Sequence, residues 1–334
     1  MNRGLQEKFC TILILFFVMI SITRLWAMEI KRNGHKEAVT SLCFSPDGKY
    51  FASSSFDGTV KVWQVETGEL IMNMAPEPTQ INYVDFSSDG RFIAWGSSDK
   101  TVQVWNLKRN EGKFTFRGHV APVYMVKYFP DGETLASAAA STGEVNHPVM
   151  LWNTRMEKMV GDFSGFPYGA RSVDISADGE KVAAGGYKEG RVRVFESKGK
   201  KELFEFFAHG SHVLDLEFSP DGRYLATASN DFMVRVWDLN RGARRRHNFK
   251  NPGVVSSISY SADGRWLAAG CYDQSIYIWD ARWGKVSKTL EGHLANVEAL
   301  DYSSDGKYLV TGDFNGVIRL WDTQAYECVY AVMP

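Results

Sequence analysis

Three side chains able to move a proton between them recur at a fixed spacing in this chain. His35, Ser53 and Asp57 form one set, and His209, Thr227 and Asp231 repeat it with the same intervals. A hydroxyl, an imidazole and a carboxylate in one relay are the parts of a nucleophilic triad. A reactive site, however, is built once, whereas this set is built twice. Each copy is also followed at the same distance by a Trp, Trp63 or Trp237. A buried indole, imidazole and carboxylate each need a hydrogen-bond partner. The eight residues are therefore expected to satisfy one another inside a repeated structural unit, and no catalytic residue is expected among them. Other chemistries find less support. His209 and His212 make an HxxH, but no third ligand accompanies them. Cys10, Cys43, Cys271 and Cys328 are scattered and form no CxxC, so neither a disulfide framework nor a zinc site is indicated. No phosphate-cradling glycine loop and no nucleophile elbow occurs. No cofactor and no metal is expected.

The elements that must position these sets repeat as well. Residues 44–63 read FSPDGKYFASSSFDGTVKVW, and the glycine of their first turn marks a ruler: Gly48, Gly90, Gly132, Gly179, Gly222, Gly264 and Gly306. Their spacings are 42, 42, 47, 43, 42 and 42 residues, the regularity of an internal repeat. In the first unit VTSLCFS alternates apolar and polar residues as a half-buried strand does. Pro46-Asp47-Gly48 turns the chain, KYFASSS is a second strand, and Phe56-Asp57-Gly58 closes a tight hairpin. TVKVWQV and ELIMNMA complete a four-stranded antiparallel meander. One meander cannot bury both its faces, but seven copies around an axis can, and no linker separates them.

With Trp63, Trp105, Trp152, Trp237, Trp279 and Trp321 in register, and Phe195 in the fourth unit, the chain resembles a WD-repeat β-propeller. The WD dipeptide stands at Trp237-Asp238, Trp279-Asp280 and Trp321-Asp322, and Gly-His at 34–35, 118–119 and 292–293. The resemblance covers about residues 28–334 and implies an all-β, seven-bladed propeller of four-stranded antiparallel blades. It also implies that His, Ser or Thr, Asp and Trp form a hydrogen-bonded tetrad, complete in the first and fifth units. The second unit has Trp95 at the Ser/Thr position. The fourth has Phe166, Gly185, Glu189 and Phe195 across the four positions. The sixth has Asn251 and Ala269, and the seventh puts Asn315 where the Asp belongs. The third carries an insertion around Ser141–His147. For ring closure, Glu327–Met333 is expected to supply the outer strand of the seventh blade in preference to Met28–Arg32, only one of which can hold that slot.

Because the His and Asp of one tetrad must touch, the loop before the first strand and the second-to-third hairpin share one face, the top. By resemblance to the family, partners dock there. Phe56, Tyr272 and Phe314 precede the hairpin Asp or its equivalent, while Tyr124, Arg171 and Glu298 stand second on inner strands. These six are the expected partner-binding residues, since exposed aromatic and Arg side chains are favoured at interfaces. The run RGARRRHNFK follows Trp237-Asp238 and is expected on a bottom loop. There Arg244, Arg245 and Arg246 could make only weak contact with a membrane surface. A net charge of −1 gives no pull toward nucleic acid. The expected function is a non-catalytic, monomeric platform for protein partners. The alternative is an enzyme or small-ligand binder at the channel mouth, which fold alone does not decide.

The first 27 residues differ in kind. Arg3 and Lys8 precede a 12-residue apolar run, TILILFFVMISI, and Leu25-Trp26-Ala27 offers a cleavage site. Residues 1–27 are expected to be a signal peptide or, uncleaved, a short anchor. The chain would then be exported to the periplasm or outside the cell, or held at the membrane. It would be cytoplasmic if Met28 is the true start.

Overall fold

The structure is a computed structural model that describes residues 29–75, 79–141 and 147–334. The leader lies outside the described residues, as do residues 142–146 of the third-unit insertion. Seven separate sheets each contain one four-stranded antiparallel meander, and among the described residues there is no α-helix. Blade one is built from Val39–Phe44, Tyr50–Ser55, Val60–Gln64 and Leu70–Met74. The innermost strands of the seven blades touch in cyclic order, and Val297–Tyr302 of the last meets Val39–Phe44 of the first. The disc is closed. All seven ruler glycines lie at φ between +65° and +71°, where a side chain would be strained, which is why that position is invariant along the repeat.

The core lies between blades. Apolar residues of each meander pack on the next, so that Val39, Leu42, Phe51 and Trp63 of blade one share a cluster with Val310, Ile318 and Leu320 of blade seven. Small residues on the second strands, such as Ala52 and Ser53, are fully buried and let adjacent sheets approach.

Closure corrects one expectation. The C-terminal strand, Cys328–Val332, does take the outer slot of blade seven, antiparallel to Ile318–Asp322. The N-terminal strand is not displaced by it. Glu29–Lys31 adds outside it as a fifth strand, running parallel, with Ile30 opposite Ala331. A parallel addition demands no hairpin and leaves the meander intact, so both ends fit. The Tyr330 side chain is buried and its hydroxyl donates to the Val65 carbonyl of blade one at 2.9 Å, locking the last blade to the first.

A second correction concerns the Arg run. The chain after Trp237-Asp238 tightens into a single turn of 3-10 helix, Leu239–Arg241, whose N-terminus is capped by the Asp238 carboxylate. Gly242, at φ 70°, ends it. Arg244, Arg245 and Arg246 therefore lie not on a bottom loop but on the outer strand of blade five, Arg244–Lys250. Arg246 stacks over Tyr224 at 4.5 Å and donates to the Arg282 carbonyl.

Candidate functional site

The paired triad residues are structural, and their geometry shows why. In blade one the Trp63 indole N–H donates to Ser53 Oγ at 2.8 Å, and Ser53 Oγ lies 2.7 Å from His35 Nε2. His35 Nδ1 is 3.2 Å from Asp57 Oδ2. Burial holds His35 below its ordinary pKa, so the ring is neutral at pH 7, with Nδ1–H donating to Asp57 and Nε2 accepting from Ser53. Burial works to raise the Asp57 carboxyl, yet hydrogen bonds from His35, Thr59 and the Lys36 amide outweigh it and hold it well below the usual carboxylate range. Ser53 is fully buried and both its hydrogen-bonding roles are filled, so it has no route to a substrate. Blade five repeats the chain with His209, Thr227, Asp231 and Trp237, and Arg235 adds a 2.7 Å bond to Asp231.

Blade seven holds a third complete tetrad that the residue pattern concealed. His293 Nδ1 reaches Asp313 Oδ2 at 2.7 Å, His293 Nε2 reaches Thr311 Oγ1 at 2.7 Å, and Trp321 donates to Thr311 at 2.8 Å. The carboxylate comes from the end of the second strand, two residues before Asn315, so Asn315 at the hairpin does not signal a loss. Blade three keeps His119, Ser137 and Trp152 in the same chain. Among the described residues its His119 has no carboxylate partner, and burial lowers its pKa to about 4.

Held over this scaffold, the six expected top-face residues meet in one place. Phe56, Tyr124, Arg171, Tyr272, Glu298 and Phe314 all line a funnel of about 350 Å³ at the upper mouth of the central channel. Phe314 is 53% exposed and Tyr272 37%, so their rings are open to a partner. The Tyr272 hydroxyl donates to Glu298 at 3.0 Å. Burial raises Glu298 to about 7, against the lowering by Tyr272 and Arg171. The Arg171 guanidinium lies 4.5 Å from the Tyr124 ring. Tyr124 stacks on Tyr187, which in turn meets His212 edge-on at 4.7 Å. Tyr187 was not anticipated. It precedes the blade-four hairpin, where the absence of tetrad residues hid the alignment.

Below the mouth, acidic side chains line the axis. Asp301, Asp85, Asp174 and Glu217 stand fifth on four inner strands, and each accepts an N–H from the next blade: Phe44, Tyr128, Phe218 and Tyr260, at 2.7–2.8 Å. Asp215 does the same to Ile258 at 2.8 Å. Burial pushes Asp174, Asp215 and Asp301 up to about 6. These carboxylates staple neighbouring blades together. Among the described residues no group of His, Cys, Asp or Glu is arranged to hold a metal ion, and Cys43, Cys271 and Cys328 are free.

Comparison with known proteins agrees with this geometry. The profile of the WD domain, G-beta repeat, matches residues 28–64, 69–106, 111–144, 200–238, 244–280 and 284–322. It skips blade four, whose tetrad positions are all substituted. The chain is 34% identical over 214 residues to small ribosomal subunit protein RACK1y of Oryza sativa subsp. japonica, covering 62% of each. It is 31% identical over 217 residues to guanine nucleotide-binding protein subunit beta-5b of Danio rerio, covering 61% of this chain and 51% of that protein. Pre-mRNA-processing factor 17 of Saccharomyces cerevisiae is 24% identical over 232 residues, with 66% and 49% covered. The chain spans 49%, 51% and 62% of the length of pre-mRNA-processing factor 17, the beta-5b subunit and RACK1y, less than two thirds of each.

Proposed function

Since the chain belongs to the WD40-repeat family, we propose that it is a non-catalytic platform that binds a protein partner through the upper face of the disc. The observation that carries this is the convergence of Phe56, Tyr272 and Phe314 on one funnel, on hairpins fixed from below by side-chain hydrogen bonds. Two of the relatives are named as subunits of larger assemblies, one ribosomal and one guanine nucleotide-binding, which supports an assembly role. Preorganised aromatic side chains lose little entropy on binding, so truncating each should cost a partner about 1–3 kcal/mol.

The test is the affinity of a captured partner for a chain in which Phe56, Tyr272 and Phe314 are all alanine. Binding should weaken at least about tenfold while the melting temperature stays nearly unchanged. Undiminished affinity would place the site elsewhere. Replacing Arg244, Arg245 and Arg246 with serine should leave the same partner bound. Residues 1–27 complete the proposal as an export leader or anchor that brings the disc to the cell envelope. Amino-terminal sequencing of the protein from its native host should begin at or near Met28 if the leader is cleaved. A cytoplasmic product starting at Met1 would overturn the export reading.

A further inference from the structure

We propose that the funnel receives an acidic side chain of the protein partner, whose carboxylate pairs with Arg171; this rests on the upper-face reading and supplies its chemistry. The negative groups around the mouth are already answered. Glu298 takes the Tyr272 hydroxyl, and Asp215 takes the amides of Leu216 and Ile258. Asp57, Asp231 and Asp313 are held by their histidines. Arg171 is the exception. It lines the funnel over the face of Tyr124, yet among the described residues no carboxylate lies within ion-pair distance and its guanidinium makes no hydrogen bond. Five N–H donors in a rigid fork are left for a ligand.

The surroundings favour the same sign of charge. Tyr124, Tyr187 and His212 form a continuous aromatic wall, and Lys188 stands 5.5 Å from the Tyr187 ring. No acid stands on that wall. A carboxylate can bind the guanidinium with two parallel hydrogen bonds, and in a half-enclosed funnel such a pair is screened less than one on open surface. A basic side chain would meet Arg171 with Glu298 already engaged. The exposed rings of Phe314 and Tyr272, with Phe56 beside them, supply apolar contact for the residues flanking the acid, which a free small anion would not use. The ligand class is thus an acidic peptide segment with aromatic or aliphatic neighbours.

The test uses the full chain and three fluorescein-labelled pools of acetylated, amidated hexapeptides. Their third residue is fixed as Glu, Gln or Lys, and the flanks are drawn from Ala, Ser, Leu and Tyr. Fluorescence anisotropy should show the Glu pool binding at least about tenfold more tightly than either other pool. Arg171→Met should erase that preference and Arg171→Lys should keep part of it, with unchanged melting for both. An Arg244→Ser/Arg245→Ser control should behave as the parent chain. A Glu preference that survives Arg171→Met, a preference for Lys, or equal or absent binding of all pools would overturn the inference. Charge-indifferent binding that still collapses in the Phe56/Tyr272/Phe314 triple-alanine chain would leave the upper-face reading standing without it. Binding that ignores both sets of substitutions would remove both.

Discussion

Blade seven fills the space beneath its hairpin with a closed chain of hydrogen bonds, Trp321 to Thr311 to His293 to Asp313, every member buried. Blade four fills the equivalent space with carbon. Phe163 stacks on Phe195 at 4.6 Å, and Phe166 is fully buried. The register places Ala184, opposite Arg193 as Ser53 is opposite Lys61, at the hydroxyl position where the residue spacing points to Gly185. Polar groups that remain there are moved to the outer edge, where Arg193 joins Glu202 and Glu205. Blade two takes a third course, seating Trp95 in the hydroxyl position with its indole N–H unpartnered among the described residues. The ring accepts each solution because blade-to-blade packing needs this volume filled, not a particular network. The tetrad adds a fixed hairpin, since its carboxylate also holds loop amides.

The largest expected effect comes from the apolar solution. Trp95→Ala should cost about 3–5 kcal/mol in denaturant unfolding, because it empties a fully buried site that cannot collapse. A loss below about 1 kcal/mol would mean that blade two carries its neighbours' load elsewhere. Asp313→Ala should cost about 2–3 kcal/mol by stranding His293, whereas Asn315→Ala, two residues on and exposed, should fall within about 0.5 kcal/mol. Equal effects would refute the displaced carboxylate. Asp57→Ala should lie between them, about 1–3 kcal/mol.

Acid sharpens the contrast between the tetrads and the axis. His119 falls from 6.5 to about 4 in the folded state, so its contribution is whole above pH 6.5 and drains as pH falls toward 4. Asp174, Asp215 and Asp301 rise from 3.8 to about 6, so the cost of ionising them is relieved over the same acid range. The two act with opposite sign. His119→Gln should therefore flatten the loss of stability between pH 6.5 and 5 by about 1–2 kcal/mol relative to the parent chain. An unchanged slope would mean that His119 is not held neutral by burial. Last comes Arg244→Ser with Arg245→Ser, both on an exposed edge, expected within about 0.5 kcal/mol.

These contrasts also mark what the residue pattern could convey. The repeat, the blade count and the tetrads of blades one and five were legible because the residue types recur at constant intervals. The tetrad of blade seven was not, because a carboxylate can reach the same imidazole from two positions, and alignment inspects only one. The axial acids were hidden by alternation itself. A polar residue at every second strand position reads as facing outside, and the pattern cannot tell outer water from the central channel. The upper-face residues come from distant stretches and meet only once the ring closes. That both termini could share one blade was missed because a parallel fifth strand leaves no mark in a meander's turn pattern.

That fifth strand bears on how the molecule comes into being. Glu29–Lys31 waits for Tyr330–Val332, and Tyr330 must reach back to Val65. Until Val297–Tyr302, Tyr308–Asp313 and Ile318–Asp322 have formed, the growing arc exposes the face of blade one that carries Val39, Phe51 and Trp63. Losing Cys328–Val332 would strip the outer edge of Ile318–Asp322 and the Tyr330 tie to Val65, yet leave Val310, Ile318 and Leu320 packed on blade one. The ring would be left with an adhesive open edge on its last blade.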